Sequence, residues 1–534
     1  MSERLIGGRR VRWDSARAAD AYARGWWVRS TVADALIRAA QRTPRRVLLV
    51  DGEHRMDCRT LYADAAALGQ ALLARMPAGA VVSVMLPNWH EAAVVYLAAT
   101  MAGMVVNPIL PTLRDRELRF ILDDARTRLI FIPAEFGGHD FPAMVDRASA
   151  ALDSPPEVVV LRGGDGGRTV YADLLEHRPP AMPWPLLDAD AVRMILYTSG
   201  TSGTPKGVLH SHNSIHALMC QIREHWQVRP GDRFVVPSPV AHIGGSIYAF
   251  EGPLLLGTTA VLMDRWNADT AVELMLTERC THIAGATPFL RQLLAAAERA
   301  GTRLPDLTLF VCGGASVPPA LIRSAAEYFA HADVTRVYGS TEVPVTTVGS
   351  PRDAGHAADT DGRAGFADIR LDIRRHGDGE IRVRGPQMLR GYLHPEDEAD
   401  AFDADGYFRT GDLGRWADGD YLVVTGRAKD VIVRNGENIA PKEVEDVLIG
   451  HPGVADIAVV GLPDPDTGER ACAVVVPTDR PGPDVASLRG FLREHGVAKF
   501  KAPEQVVIWD DLPRNDAGKV LKHQIRAALM EPDG

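Results

Sequence analysis

Along the chain, short apolar runs alternate with longer segments in which apolar side chains recur every three or four positions. The runs at 81–85, 158–161, 194–197, 234–236, 260–263, 282–284 and 309–312 predict buried strands, and the segments 60–74, 213–226, 270–279 and 319–330 predict helices. This rhythm is that of an α/β fold on a largely parallel sheet. Residues 92–113 carry no charge, yet Gly103, Asn107, Pro108 and Pro111 interrupt them, and Pro108 would break a membrane-spanning helix. The stretch therefore predicts a buried helix near 91–102 and a buried strand near 104–110. From about 350 to 425 the texture changes to short strands rich in Gly, Asp and Arg, such as 379–384 and 420–424. Past Gly426 a smaller unit begins. Pro441 opens a helix with Val444, Val447 and Leu448 on one face, and strands 456–460 and 471–476 and a helix 487–495 follow.

A chain of 534 residues suits two or more compact units, and its 46% hydrophobic and 24% charged content is globular. A net charge of −10 gives no reason to expect a nucleic-acid or anionic-membrane partner. The N-terminus has basic residues but no apolar run behind them, so it does not read as a secretory signal. Cys58, Cys220, Cys280, Cys312 and Cys472 are scattered without a CxxC pair, which suggests reduced structural thiols and a cytoplasmic protein. The basic residues are lopsided. Lys206, Lys429, Lys442, Lys499, Lys501, Lys519 and Lys522 are the seven lysines, against 52 arginines. In such a chain a lysine marks a place where a compact, mobile ammonium is wanted.

Lys206 stands alone in the first 428 residues, inside YTSGTSGTPKG at 197–207. Glycines let backbone N–H groups approach an anion, hydroxyls add donors, and the lysine adds charge. The P-loop pattern does not fit, because no Gly precedes this lysine and no Ser or Thr follows it. The segment resembles the signature loop of the adenylate-forming superfamily: acyl-CoA synthetases, peptide-synthetase adenylation domains and firefly luciferase. That resemblance assigns Thr198, Ser199, Gly200, Thr201, Ser202, Gly203, Thr204 and Lys206 to the phosphates of ATP. YGSTE at 338–342 resembles a second family motif, in which Tyr338 stacks on adenine, Thr341 meets phosphate and Glu342 holds Mg²⁺; Gly339 and Gly314 are assigned to the nucleotide as well. FRTGDL at 408–413 resembles a third, with Asp412 on the ribose hydroxyls. GRAKD at 426–430 resembles the hinge, with Arg427 on the nucleotide and Lys429 at the pivot. GENI at 436–439 resembles the face presented during thioester formation, which includes Gly436. PRNDAGK at 513–519 resembles the terminal motif, whose Lys519 bridges acyl carboxylate and α-phosphate.

The motifs fall in family order over roughly residues 30–525. The implied fold is a large N-terminal domain, 1–425, of two sheet-and-helix subdomains plus a small β-barrel, and a small mobile α+β domain, 426–534, hinged near Lys429. The implied reaction joins a carboxylic acid to AMP, releases pyrophosphate, and passes the acyl group to the thiol of coenzyme A. The acyl site is implied to be walled by 239–248, 285–290, 313–316 and 338–347. The first wall, PVAHIGGSIY, has no acid to pair an amino-acid ammonium, and Ile243 stands where dihydroxybenzoate-activating relatives carry Asn. His242 is a candidate for the acyl carboxylate, and Gly244 and Gly245 leave room for a ring or chain. The region looks most like cyclohexanecarboxylate- and medium-chain-acid CoA ligases, so an aliphatic, alicyclic or aryl acid is expected. The alternatives are a ligase that loads a carrier-protein thiol in trans, and a degenerate adenylate-binding regulator. His210 and His212 make an incomplete metal site and are expected to pack or cap; the acidic run 396–405 reads as a solvated face and turn.

Overall fold

A computed structural model of the chain describes residues 2–164, 167–176, 180–198, 205–314, 317–375, 378–434, 437–465, 467–515 and 518–530. Among them, two sheets of seven strands each fill the first two thirds of the chain. The first sheet runs, in spatial order, Thr169–Val170, Glu157–Leu161, Thr127–Pro133, Val81–Val84, Val105–Pro108, Val192–Thr198 and Lys206–Ser211. Its strands are parallel except the last, which returns antiparallel to its neighbour. The second runs Asp333–Arg336, Leu309–Cys312, His282–Gly285, Arg233–Val236, Thr259–Leu262, Val47–Asp51 and His54–Asp57, again with one antiparallel edge hairpin.

The charge-free stretch becomes the helix His90–Met101, buried on every side from Ala92 to Met101 in the core that both sheets share. One polar device crosses that core. Arg193, 3% exposed, pairs with Glu251, 1% exposed, and the Tyr96 hydroxyl accepts from Arg193 at 2.6 Å and donates to Glu251 at 2.7 Å. Burying two charges is costly unless they pair, and Arg193 Nε and Glu251 Oε2 are left without a hydrogen-bond partner among the described residues. Here the triad ties the strand Val192–Thr198, the buried helix and the turn Ile247–Glu251 into one unit.

The Gly-, Asp- and Arg-rich stretch forms a four-stranded antiparallel sheet of Asp368–Arg375, Asp378–Arg384, Phe408–Ala417 and Tyr421–Arg427. Bridges from Arg363 to Tyr421 and from Thr347 to Ala364 extend it back toward the second large sheet. The terminal unit has its own core, built from Ile432, Val444, Leu448, Val459, Val475 and Leu488 among others. Its strand Gly468–Pro477 lies between Val454–Asp464 and Gln505–Ile508. Three lysines without an expected role surround its helix Pro441–Leu448: Lys442 pairs Asp446, Lys501 pairs Glu443 at 2.6 Å and Lys522 pairs Glu445 at 2.7 Å. All five cysteines are buried and free, and no described helix is long and apolar enough to cross a membrane.

Candidate active site

The strand Val192–Thr198 runs into the glycine- and hydroxyl-rich loop, and the chain comes back as Lys206–Ser211 with Lys206 paired opposite Thr198. The loop is thus pinned at both ends. Ser199, Gly200, Thr201, Ser202, Gly203 and Thr204 lie outside the described residues, as does Gly436. The outer edge of the returning strand is covered by residues 390–393: Leu393 N donates to Gly207 O at 2.8 Å, Leu209 N to Gly391 O at 3.0 Å and Arg390 N to Leu209 O at 2.7 Å. Lys206 lies over the Tyr392 ring, 5.4 Å from its centre, and its ammonium is 3.1 Å from Asp397. The acidic run is therefore not merely a solvated face. Its Asp397 meets Lys206, and its Glu398 accepts from Arg12 at 2.8 Å and from Tyr392 N at 3.0 Å.

The segment 338–342 follows the strand Asp333–Arg336. Gly339 permits a close approach there, because a Cβ on it would fall 2.6 Å from Val345 N. Glu342 is half-buried; its carboxylate accepts from the Tyr392 hydroxyl at 3.1 Å and its carbonyl from Leu389 N at 2.7 Å. His210 joins this segment to the phosphate-loop hairpin. Its Nε2 is 2.8 Å from the Thr341 carbonyl and its Nδ1 3.2 Å from the Ser214 hydroxyl, and burial pushes its pKa down to about 4. A neutral ring donating from Nε2 and accepting at Nδ1 satisfies both contacts. His210 was not among the expected site residues; the signal available in the sequence was a polar ring within an apolar strand beside the loop. His212 opens the helix His212–His225, capped by Ser211, and is likewise held neutral by burial. One described cluster has metal-ligand geometry, Asp51 with His90 and Glu91, but Arg162 spans its carboxylates at 3.1 and 2.7 Å.

The third and fourth motifs meet across one ladder, in which Asp412 and Arg427 are cross-strand partners. Asp412 is buried. The Tyr338 hydroxyl donates to its Oδ2 at 2.7 Å, Arg427 Nε pairs with its Oδ1 at 2.9 Å, and its N–H donates to Thr410 Oγ1 at 3.0 Å. Burial first, and then the Asp412 charge, push the Tyr338 phenol well above its ordinary pKa. Lys519 reaches the same place from the other end of the chain. A tight turn holds it: Lys519 N donates to Asn515 Oδ1 at 2.9 Å and Asn515 N to Lys519 O at 2.9 Å. Gly518, at φ +76°, sits against the N-terminal unit, where a Cβ would be 3.3 Å from Pro288 Cγ. Burial, then the nearby Arg427 charge, push the Lys519 ammonium down to about 8, opposed by Asp412 and Asp430. Lys429 is exposed on the short turn Ala428–Asp430, and Gly314, at φ +83°, is exposed after the strand Leu309–Cys312.

Residues 36–393 match the family described as AMP-binding enzyme, and residues 443–519 match the AMP-binding enzyme C-terminal domain. The chain belongs to the AMP-binding enzyme family. It is 32% identical over 527 residues to a medium-chain fatty-acid–CoA ligase of Escherichia coli, covering 95% of this chain and 92% of the relative. It is 34% identical over 459 residues to a long-chain fatty-acid–CoA ligase of Mycobacterium tuberculosis, covering 83% and 87%. The crystal structure of ATP-bound MatB from Rhodopseudomonas palustris has the same fold, with a TM-score of 0.83 at 28% identity over 93% of this chain and 99% of that one. The resemblance to adenylate-forming enzymes and the expected fold class are borne out, and so is the enzyme class, an AMP-forming acid–CoA ligase.

In this AMP-binding enzyme the stretch 239–248, expected to wall the acyl site, has one glycine for packing and one facing open space. A Cβ on Gly245 would lie 2.1 Å from the Pro239 carbonyl oxygen, so Gly245 serves a close backbone contact and leaves no room for substrate. Gly244 has nothing within 4 Å. The half-buried His242 precedes them, its carbonyl accepting from Gly245 N and Ser246 N at 2.9 Å. The chain then widens into a π-helical turn, Ile247–Glu251, whose Tyr248 stacks on Phe234 at 5.2 Å. Glu251, the acid nearest this wall in sequence, is committed to Arg193 and Tyr96.

Proposed function

We propose that this enzyme activates an aliphatic, alicyclic or aryl carboxylic acid with an uncharged tail. The acid carboxylate attacks the α-phosphorus of ATP, giving acyl-AMP and pyrophosphate, and the thiol of coenzyme A then takes the acyl group and releases AMP. The observation that carries this reading is the convergence of Lys519 with Asp412, Arg427 and Tyr338, four residues from four separate motifs. Lys519 supplies positive charge where two anions must meet, and preorganised charge of this kind lowers the barrier without reorganisation at the moment of reaction. Thr198, Lys206 and residues 199–204 take the phosphates; Tyr338, Gly339, Thr341 and Gly314 frame the base and α-phosphate; Asp412 and Arg427 take the ribose side.

Glu342 suits Mg²⁺: it offers hard carboxylate oxygen, and its position is fixed by Tyr392, the residue that also underlies Lys206. A bound Mg²⁺ would offset phosphate charge there. In the second half-reaction the unit 426–534 turns about Lys429, withdrawing Lys519 and bringing the Gly436 segment to the site. The acid-free wall and the open space at Gly244 support an uncharged acyl group, with His242 beside its carboxylate. Five buried, free cysteines support a cytoplasmic location.

ATP–pyrophosphate exchange over a carboxylic-acid panel, followed by product analysis with coenzyme A, tests the proposal. Exchange with apolar acids and an acyl-CoA product are expected. Exchange confined to amino acids overturns the substrate class. An acyl-AMP that transfers only to a carrier-protein phosphopantetheine overturns the acceptor. Absence of exchange with every acid favours an adenylate-binding regulator.

A further inference from the structure

The lysine assigned to the polyphosphate already has an anion of its own. Asp397 lies 3.1 Å from the Lys206 ammonium, and each side chain is about a quarter exposed. The carboxylate is placed by structure. It belongs to the short turn Pro395–Glu398, whose Asp397 N donates to His394 O at 3.2 Å. On one side of that turn, residues 390–393 are hydrogen-bonded along the outer edge of Lys206–Ser211; within it, Glu398 is held by Arg12 and by Tyr392 N. His394 adds a fourth tie, its Nε2 being 2.7 Å from Asp124 Oδ1. The same segment carries Tyr392, which faces Lys206 with its ring and Glu342 with its hydroxyl. The strap thus presents a counter-charge to the lysine while steadying the carboxylate beside it.

The choice of side chain matters. In a chain with 52 arginines, this position holds a lysine. A guanidinium would grip a carboxylate through two parallel hydrogen bonds, whereas an ammonium is a compact charge on a flexible stem and changes partner readily. A pair this accessible to water is weak, so a multiply charged phosphate chain can displace the carboxylate and the carboxylate can return.

We propose that Asp397 is a resident counter-anion for Lys206. It is a positioning residue: it orients the ammonium in the free enzyme, yields it to the phosphates of ATP, and competes with pyrophosphate for it after acyl-AMP has formed, which hastens departure of that product. The inference rests on the reading of Lys206 as a polyphosphate ligand.

The test compares full-length wild type with Asp397→Asn, Asp397→Glu and Lys206→Ala in magnesium-containing buffer. Pyrophosphate affinity is read by calorimetry and by its inhibition of acyl-AMP formation, and thermal midpoints confirm folding. Asp397→Asn is expected to bind pyrophosphate about two- to fivefold more tightly and to lower KM for ATP by a similar factor. Asp397→Glu, which keeps the charge, is expected to stay within twofold of wild type. Pyrophosphate binding that is unchanged or weaker in folded Asp397→Asn overturns the proposal; should that variant be unstable, Asp397→Ser is held to the same criterion. Lys206→Ala separates the two levels. If it weakens pyrophosphate binding while Asp397→Asn does nothing, the counter-anion role alone falls. If it leaves pyrophosphate and ATP binding unchanged, the assignment of Lys206 falls and takes the counter-anion with it.

Discussion

Among single residues, Lys519 has the most finely balanced charge. Burial and Arg427 lower its pKa to about 8, while Asp412 and Asp430 pull the other way. The sign follows: in the free enzyme the ammonium loses its proton as pH rises through about 8, far below an ordinary lysine. Because kcat/KM reports the free enzyme's ionisations, kcat/KM for acyl-AMP formation is expected to fall about tenfold per pH unit above that value. An arginine at this position stays charged and should remove the alkaline limb from whatever activity it retains. Lys519→Ala is expected to cost roughly 3 kcal/mol or more in acyl-AMP formation and to spare transfer from ready-made acyl-AMP. A flat profile to pH 10, or equal losses in both half-reactions, would refute the assigned role. The residue was legible in advance, since it is one of few lysines and sits in a recognisable motif. How the other site residues hold one another was not: Tyr338 donates to Asp412 across 74 residues and Tyr392 to Glu342 across 50, and no local period encodes such pairs.

At the scale of elements, sequence and structure part company where glycine is concerned. The apolar runs that were read as strands lie within about two residues of them, because a strand between two helical layers must be apolar on both faces; Val47–Asp51, Thr127–Pro133, Lys206–Ser211 and Asp333–Arg336 were not among them. A glycine pair, by contrast, reads the same whether it makes space for substrate or admits backbone. Gly245 admits backbone and Gly244 faces open space. Gly245→Ala should therefore destabilise the protein by about 1–3 kcal/mol, the usual cost of overpacking, seen as a lower thermal midpoint with every acid tested. Gly244→Val should leave the midpoint near wild type and narrow the range of acids accepted in pyrophosphate exchange. Equal thermal losses in the two variants would contradict this division. The acidic run forms the expected turn but is more than a solvated face, for a related reason. Composition marks a surface, but it does not reveal that Asp397 and Glu398 close over the phosphate-loop hairpin.

Over the whole molecule, the change of texture near 350 and the fresh start past Gly426 were legible, since each unit buries its own apolar cluster. How the terminal unit docks was not. Gly518 against Pro288, and Arg291 reaching the Ala455 carbonyl at 3.5 Å, join surfaces that no motif describes. The turn Ala428–Asp430 between the two units has a practical consequence. Lys429 is exposed there, as is Lys499 on the short turn Lys499–Lys501; Lys206, the only lysine before Lys429, is half-buried and ion-paired, Lys519 is half-buried, and Lys442, Lys501 and Lys522 are held by acids. A lysine-specific endoprotease applied briefly to the native protein is expected to cut at its two exposed lysines, Lys429 and Lys499, so that a piece 1–429 appears early on a gel. Absence of the 1–429 piece would show that the turn is not an open point. Trypsin, offered 52 further arginine sites, lacks this selectivity. The scarcity of lysine thus gives the protein a built-in seam, through which its two units can be parted without redesigning the chain.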